Sequence, residues 1–334
     1  VRAVEEVGDE PELSTVSRDM VELGLTVTGG YEVGAALAAP GDLLGADGED
    51  DVVVTAPGSS SVYVVRGPMT TDVELDDDGD VARIDGASSL DFGTSVATIQ
   101  DLDGDGRAEL AVGAPGYTDS FMGGFHPEAG KGAVYIYFEA GNLDVEDADC
   151  VILGEESGGG LGDSLADAGD IDGDGLGDLM VGAPKVEDEA GAAWLFTGEV
   201  LRENAAPELD DREAYFYGAD DQEGAGRFML GRVDLDQDGN QDLLIGSPMA
   251  EWGSSGATLG GVGIWYGPLS GRHNSQNADA VILGEEMEYG AAPSLFGWSM
   301  VVTQTNDLIV GAPGVGAVEG AEGDERKFGY GVTY

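Results

Sequence analysis

Basic residues are scarce in this sequence, in which 14 lysines and arginines stand against 66 aspartates and glutamates. The formal net charge of −52 repels nucleic acid and anionic lipid, because both carry charge of the same sign. We therefore expect no nucleic-acid partner. Carboxylate clusters that hold divalent cations account for only part of this acid, and a solvated acidic coat, as in proteins from salty habitats, accounts for the rest.

Long apolar runs are also missing. Apolar residues make up 42% of the chain but come in short bursts such as Val52–Val54 and Ala133–Phe138. None approaches the roughly 18 consecutive apolar residues of a membrane span, so we expect no membrane insertion. The chain starts at Val1 without an initiator Met, as expected for a mature secreted protein or for a piece of a longer one.

A single cysteine, Cys150, excludes an internal disulfide. The segment around it, Asp147–Glu156, recurs as Asn277–Glu286 with Ala280 in place of the cysteine. We therefore interpret Cys150 as a small strand residue.

Residues arranged for catalysis are equally sparse. His126 and His273 are the two histidines, and neither belongs to a recognisable catalytic constellation. The sequence has no Gly-x-Ser-x-Gly, His-Glu-x-x-His or phosphate-binding Gly-Lys-Ser/Thr motif. We expect a protein that is not an enzyme, although abundant carboxylates leave a glycoside-active hydrolase as an alternative.

A repeated motif divides the chain into five units. A Gly-Ala-Pro tripeptide, or a close variant, returns at intervals of 58 to 69 residues, and each copy follows a further glycine element. The tripeptides are Thr55-Ala56-Pro57, Gly113-Ala114-Pro115, Gly182-Ala183-Pro184, Gly246-Ser247-Pro248 and Gly311-Ala312-Pro313. The upstream elements are Val33-Gly34, Phe92-Gly93, Leu161-Gly162, the altered Gly226-Arg227-Phe228, and Phe296-Gly297.

Each unit contains four short strand candidates. In the second unit these are Thr94–Ile99, Glu109–Val112, Ala133–Phe138 and Cys150–Leu153, which are rich in β-branched or aromatic residues between Gly, Pro and Asp. Four strands per unit is typical of a propeller blade. The sequence predicts an all-β fold, a β-propeller of five four-stranded blades in one domain over 1–334. The units cover about 29–90, 91–154, 155–218, 219–284 and 285–334.

The ends of the chain predict how the ring closes. Glu22–Thr28 resembles a fourth strand without its blade, and Tyr330–Tyr334 resembles a third strand without its fourth. We expect residues 20–28 to complete the fifth blade, which would remove two open sheet edges. An open fragment of a larger ring is the alternative.

Three nearly identical acidic loops lie between the first and second strands of units two, three and four. Each has carboxylates at positions 1, 3, 5 and 9 and a glycine at position 6, where a sharp turn is needed. Six to eight oxygen ligands suit Ca²⁺ better than Mg²⁺, and the carbonyl at position 7 adds a neutral oxygen. The predicted ligands of three calcium sites are Asp101, Asp103, Asp105, Arg107 and Glu109; Asp170, Asp172, Asp174, Leu176 and Asp178; and Asp234, Asp236, Asp238, Asn240 and Asp242.

These loops differ from a helix–loop–helix calcium site, which requires a glutamate at position 12. Position 12 is Val112, Val181 or Ile245, so we expect a β-hairpin connection. The first unit keeps only part of the pattern, and Asp42, Asp47 and Asp51 are left open as a weak fourth site. The fifth unit shortens the loop to 303–307, where we expect no ion.

The Phe-Gly element, the aspartate loop and Gly-Ala-Pro together resemble the FG-GAP repeat of the integrin α-subunit N-terminal propeller and its bacterial relatives, over about residues 20–334. Propellers of that type have seven blades, whereas five units are visible here. The resemblance implies calcium in the acidic loops and a partner on the face opposite them. It also agrees with an extracellular or cell-surface location.

The opposite face is formed by the connections between strands two and three and between one blade and the next. Its long loops 116–131, 249–261 and 314–327 carry exposed aromatic candidates. We expect a recognition or adhesion module with a protein or glycan ligand. A structural subunit of a surface layer or filament, self-associating by strand exchange through Val1–Thr28, is the alternative. The aromatic and neighbouring candidates are Tyr117, Phe121, Met122, Phe125, His126 and Trp252.

Overall fold

A computed structural model shows a chain built almost entirely of β-strands. It describes residues 27–28, 32–44, 48–69, 72–75, 79–86, 90–117, 130–251, 259–284, 294–303, 308–313 and 332–333. Within these ranges helix is limited to a left-handed turn, α1 (Val186–Glu189), to α2 (Gly198–Glu203), and to 3₁₀ turns at Pro57–Ser59, Val145–Asp147, Leu209–Asp211 and Ser275–Asn277. None of the helices in the described part is long and apolar enough to cross a membrane.

The strands follow one plan that repeats along the chain. In order they are β1 (Val27–Thr28), β2 (Leu37–Gly41), β3 (Asp51–Ala56), β4 (Ser61–Val65), β5 (Val73–Glu74), β6 (Val81–Asp85), β7 (Ser95–Gln100), β8 (Ala108–Ala114), β9 (Ala133–Tyr137), β10 (Leu143–Asp144), β11 (Cys150–Leu153), β12 (Ser164–Gly169), β13 (Asp178–Ala183), β14 (Ala192–Phe196), β15 (Ala214–Tyr217), β16 (Phe228–Val233), β17 (Asp242–Ser247), β18 (Gly261–Trp265), β19 (Gly271–Asn274), β20 (Ala280–Leu283), β21 (Ser299–Val302), β22 (Leu308–Gly311) and β23 (Val332–Thr333).

Within the described residues, consecutive antiparallel strands form five sheets. The first contains β2, β3, β4 and β6; the second β7, β8, β9 and β11; the third β12 to β15; the fourth β16, β17, β18 and β20; and the fifth β21 to β23. The all-β prediction is confirmed, and the arrangement is consistent with a β-propeller. In the second unit each predicted strand lies within two residues of an observed one at both ends.

The hydrophobic core lies between neighbouring sheets. The second strands β8, β13 and β17 are buried along nearly their whole length, because both faces of each sheet are covered. Each of four core clusters contains residues from two consecutive sheets. Representative members are Val62 and Val112, Ile136 and Val181, Leu195 and Ile245, and Ile264 and Val310. The sheets therefore stack face to face in chain order.

The upstream glycine element and the Gly-Ala-Pro tripeptide lie close together where neighbouring sheets meet. Within a sheet, the amide of the upstream glycine donates to the first residue of the tripeptide: Gly34 to Thr55, Gly93 to Gly113, Gly162 to Gly182 and Gly297 to Gly311, over 2.8 to 3.2 Å. Between sheets, a Cβ on Gly113 would lie 2.1 Å from the carbonyl oxygen of Gly162, and one on Gly246 would lie 2.2 Å from that of Gly297. The motif glycines thus permit a backbone approach that any side chain would block.

Short parallel strands extend some sheets at their outer edge. The connection between the third and fourth strands of one sheet pairs with the fourth strand of the preceding sheet, as β10 does with β6 and β19 with β15. In the first unit this connecting strand is β5, and it pairs in parallel with β1. β1 therefore holds the place of a fourth strand relative to the first sheet. Among the described residues, β23 pairs with β22 but no pairing of β23 with β1 is seen.

Candidate metal centre

Each of the three acidic loops connects the first and second strands of its sheet as a hairpin, as the sequence predicts. One carboxylate oxygen from every member of a group lies within 4.8 Å of the others in the group. The groups are Asp101, Asp103, Asp105 and Glu109; Asp170, Asp172 and Asp178; and Asp234, Asp236 and Asp242. The position-5 acids Asp174 and Asp238 are not part of these groups, although both are predicted ligands.

Backbone amides hold the aspartates of each loop in place. In the first loop the amides of Gly104, Asp105 and Arg107 donate to Asp101, Asp103 and Asp105 over 2.7, 2.9 and 2.8 Å. The second loop repeats the three bonds, and the third repeats the last two. Each of these bonds engages one carboxylate oxygen and orients the side chain. The second oxygens of Asp170, Asp234 and Asp238 also accept, from the amides of Gly175 and Gly239 and from the Asn240 side chain, over 3.0, 3.0 and 2.9 Å.

The acid at position 9 anchors the loop from the second strand. Glu109, Asp178 and Asp242 are fully buried and accept from the position-2 amide over 2.6 to 2.7 Å. In the third and fourth sheets a β-bulge in the first strand brings the aspartate opposite the residue before the loop. The second sheet has no bulge, so Glu109 lies opposite Ile99 and one residue further from the loop. The extra methylene of glutamate makes up this distance.

The second oxygen of the position-9 acid distinguishes the first loop from the others. In Asp178 and Asp242 it accepts from the amides of Gly198 and Gly267, over 2.8 and 3.1 Å. In Glu109, Oε1 is buried and has no hydrogen-bond partner. A buried carboxylate oxygen without a partner is costly unless a cation or water satisfies it, and three aspartates lie beside it. The residues of this loop therefore fit a hard divalent cation.

Burial and mutual repulsion raise the pKa values of the position-9 acids. Burial raises the pKa of Glu109 to about 7, against the hydrogen bond from Leu102, and the charges of Asp103, Asp101 and Asp105 add to it. Burial likewise raises the pKa of Asp178 to about 7, against hydrogen bonds from Gly198 and Ile171. The ionised loops are unfavourable without a counter-charge, which a bound cation supplies.

The raised pKa values predict that stability depends on pH in opposite directions in chelator and in calcium. The folded protein holds protons on Glu109 and Asp178 up to about pH 7, whereas the unfolded chain releases them near the ordinary pKa values of 4.5 and 3.8. The unfolding free energy should therefore fall as pH rises from about 4 to 7. With excess calcium it should rise over the same range, because ion binding requires the ionised carboxylates. Denaturant melts at several pH values measure both slopes; equal slopes with and without calcium would contradict this account.

The register difference predicts that the acids at position 9 are not interchangeable. Shortening Glu109→Asp should weaken cation binding at the first loop about tenfold or more, since the carboxylate no longer reaches the loop. The matched change Asp178→Glu should also disturb its loop, because the bulge already places Asp178 opposite the residue before the loop and the extra methylene would displace the carboxylate. Calorimetric titration of each variant tests this, and unchanged affinity for Glu109→Asp would refute the role given to the missing bulge.

Sequence comparison identifies the repeats. Residues 92–137 and 164–196, which include the first two acidic loops, match the FG-GAP repeat. The chain contains FG-GAP repeats over these residues. It is 30% identical to integrin alpha-5 of Xenopus laevis over 164 residues, 35% to integrin alpha-PS5 of Drosophila melanogaster over 164 and 30% to integrin alpha-V of Gallus gallus over 157. Each match covers 47% or 48% of this chain but 14% or 15% of the relative, so the chain spans about one-seventh of the length of these integrins.

The first unit keeps the buried acid at position 9 but not the whole acidic group. Asp51 is buried and accepts from the amides of Leu43, Leu44 and Gly67 over 2.8, 2.6 and 3.0 Å. Asp42 accepts from Gly48 over 2.6 Å, while its Oδ1 is buried without a partner. Asp47 lies outside the described residues, and so does most of the shortened fifth loop. A fourth site stays a prediction.

Other residues singled out in the sequence have structural roles. Cys150 is fully buried in β11 opposite Ile136, and burial raises the pKa of its thiol to about 12. His273 stacks on Phe216 with ring centroids 4.9 Å apart. Of the predicted aromatic anchors only Tyr117 is described, and it packs against the core cluster that contains Val62 and Val112. The others fall outside the described residues.

Sequence reasoning missed an exposed group at the start of the first strands. Trp298 is 40% exposed and Arg227 lies over its ring, 4.7 Å from the centroid. Arg227 and Lys185 both approach Asp163, at 4.0 and 3.3 Å. Arg227 and Trp298 directly follow Gly226 and Gly297 of the upstream glycine elements, and this shared position is the one sequence signal that could have linked them.

Proposed function

We propose that this chain is a secreted or cell-surface calcium-binding β-propeller that acts as a recognition or adhesion module. The observation that carries the calcium assignment is the buried, unpartnered Oε1 of Glu109 beside Asp101, Asp103 and Asp105. Two further loops bring together the carboxylates of positions 1, 3 and 9. Similarity to integrin α subunits over the FG-GAP region supports recognition as the role of the whole.

The proposed architecture is one domain of five blades, closed by the N-terminal segment. The pairing of β5 with β1 supports this, since the same parallel pairing elsewhere joins a blade to the fourth strand of the blade before it. If β1 also pairs with β23, it completes the fifth blade. Two sheet edges would then be removed.

The proposed ligand sets combine the carboxylates of each loop with the main-chain carbonyl at position 7. These carbonyls belong to Arg107, Leu176 and Asn240. Several carboxylates on a flexible loop suit calcium, which takes six to eight oxygens, better than magnesium, which keeps water. Asp174 and Asp238 would join their groups once an ion is present.

The proposed recognition surface is the face opposite the calcium loops. Trp298, Arg227 and the 38%-exposed Met249 all lie at this end of their sheets. Trp, Arg and Met are enriched in the buried centres of protein interfaces. Calcium bound at the far end would hold the blades rigid while this face meets a partner.

A catalytic role has less support. Asp167 lines a cavity of about 250 Å³ among the first strands, where an acid pair would favour a hydrolase. Asp167 instead pairs with Arg232 at 3.2 Å, and Asp101, which lines the same cavity, belongs to the first calcium loop. We therefore propose that the protein is not an enzyme.

Binding to an immobilised panel of extracellular-matrix proteins and glycans tests the proposal. In about 1 mM calcium, the concentration range of extracellular calcium modules, the chain should bind at least one panel member and release it in chelator. Trp298→Ala should abolish this binding. The control Val301→Ala, an equally exposed apolar residue within β21, should not. Binding that is indifferent to calcium, or no binding at all, would contradict the proposed function.

A further inference from the structure

A cavity of about 260 Å³ lies between the second and third sheets, away from the acidic loops. Trp194 and Tyr215 form its aromatic wall, with ring centroids 5.2 Å apart. Lys131, Arg212 and Arg272 also line it, so three of the chain's 14 basic residues converge here. The cavity is slightly smaller than the roughly 300–1,000 Å³ of drug-sized sites, which suits a single ring-sized ligand.

Arg272 stands apart from the other arginines that the structure describes. With 66 acidic residues against 14 basic ones, a cation is expected to find a carboxylate. Within the described part of the chain Arg272 makes no ion pair. Eight other basic residues of that part do: Arg66, Arg83, Arg107, Lys185, Arg202, Arg212, Arg227 and Arg232.

Two tyrosine rings hold the Arg272 guanidinium in a fixed position. Its Cζ lies 5.2 Å from the ring centroids of both Tyr215 and Tyr217, which are themselves stacked. A guanidinium stacked by its face keeps its N–H edge available for two parallel hydrogen bonds to a carboxylate. Arg212 lies over Tyr215 as well, at 5.1 Å, but is paired with Asp210.

The wall of the cavity is also held by an unusual loop. Glu187, Asp188 and Glu189 have φ angles of 53°, 57° and 67°, three successive left-handed residues that are not glycine. Such a backbone persists only where its surroundings determine it, and it is concentrated at ligand-binding sites. Here it places the Glu187 carboxylate where it accepts from the hydroxyl of Tyr215 over 2.9 Å.

We propose that this cavity binds one carboxylated sugar unit, a uronic-acid type residue, with its carboxylate on Arg272. The same rim carries the carboxylates of Glu155, Glu156 and Asp210, which can accept from sugar hydroxyls. The aromatic wall supplies an apolar surface for the ring. A ligand with one carboxylate and several hydroxyls is complementary to this cavity, because the Arg272 guanidinium can bind the carboxylate and the rim carboxylates can accept from the hydroxyls.

An acidic peptide is a poorer match. Several clustered charges would meet the rim carboxylates and the overall charge of −52, whereas a single carboxylate on a neutral polyol meets mainly Arg272. The inference deepens the proposed function, because it names a ligand class for the recognition module. It also places that ligand beside the face opposite the calcium loops, where Gly154 and Glu187 line the cavity.

Saturation-transfer NMR and calorimetry with the full chain in calcium test the assignment, with glucuronate and galacturonate as probes and glucose as the uncharged match. We expect at least one uronate to bind about tenfold or more tightly than glucose. Arg272→Gln should weaken uronate binding about tenfold or more, and Arg272→Lys should recover only part of it, because lysine lacks the planar fork. The matched control is Arg83→Gln, since Arg83 covers Tyr63 at 5.7 Å on another sheet.

Three results would overturn the assignment: uronates binding no better than glucose, equal effects of Arg272→Gln and Arg83→Gln, or a tri-aspartate peptide binding more tightly than either uronate. Melting temperature with and without calcium is recorded on the same samples. A calcium-dependent rise in melting temperature without uronate binding would reject the sugar site alone. Loss of the calcium effect would instead reject the proposed function.

Discussion

Stripping calcium with a chelator is expected to lower the melting temperature by about 15 °C or more. At a calcium concentration about 100 times the dissociation constant, each site adds roughly 2.7 kcal/mol to the unfolding free energy, so three sites add roughly 8. For a large domain each kcal/mol shifts the melting temperature by roughly 2 °C or more. Removal of the ion also leaves the carboxylates of each loop repelling one another within 4.8 Å.

Differential scanning calorimetry at low ionic strength measures this effect. Sodium chloride at matched ionic strength is the control, since it screens the acidic coat but cannot fill an oxygen cage. The melting temperature should return on adding calcium in excess of the chelator and should not return with sodium. Superimposable melting curves in calcium and in chelator would mean that the acidic loops hold no structural ion.

The second large effect is expected from Gly246→Ala in the tripeptide of the fourth unit. The new Cβ would lie 2.2 Å from the carbonyl oxygen of Gly297 and 3.3 Å from that of Phe228. All of these neighbours are backbone, so relief requires the fourth and fifth sheets to move apart. We expect a loss of about 3 kcal/mol of unfolding free energy, at the upper end of overpacking effects, seen as a lower denaturant midpoint.

A second glycine serves as a control that separates the steric effect at Gly246 from the general effect of replacing glycine by alanine. Gly141 lies in a turn of the second unit, where an added Cβ would meet only the Leu143 side chain at 4.0 Å. Gly141→Ala should therefore leave the denaturant midpoint nearly unchanged. If the two variants were equally stable, the close approach of neighbouring sheets at the motif glycines would be disproved.

Much of the fold could be predicted from the sequence because the chain is built of repeated units. Because Gly-Ala-Pro, the glycine element and the acidic loop return in the same order, each weak strand signal could be compared with four others. Cys150 shows the value of this, since Ala280 in the equivalent place indicated a buried strand residue and burial is complete. The carboxylate groups could be predicted for the same reason. An acid that recurs at position 9 of three loops is more informative than a single Asp-Gly turn.

Contacts between repeats could not be predicted from the sequence. The missing bulge that explains Glu109 is a matter of strand register, and nothing near it in the sequence signals one residue more or less. The parallel pairing of β5 with β1 joins segments more than 40 residues apart through two short strands with no strong pattern. Arg272 reaches Tyr215 from the next unit along the chain, so its environment arises only on packing.

Calcium stoichiometry tests the central claim most directly. Calorimetric titration into chelator-treated protein should count three calcium ions per chain. It should count none in the variant that combines Asp103→Asn, Asp172→Asn and Asp236→Asn, which alters only three of 66 acidic residues and so preserves the acidic coat. Equal calcium uptake by the two proteins would show that the ion associates with the coat and would contradict the assignment of the loops as calcium sites.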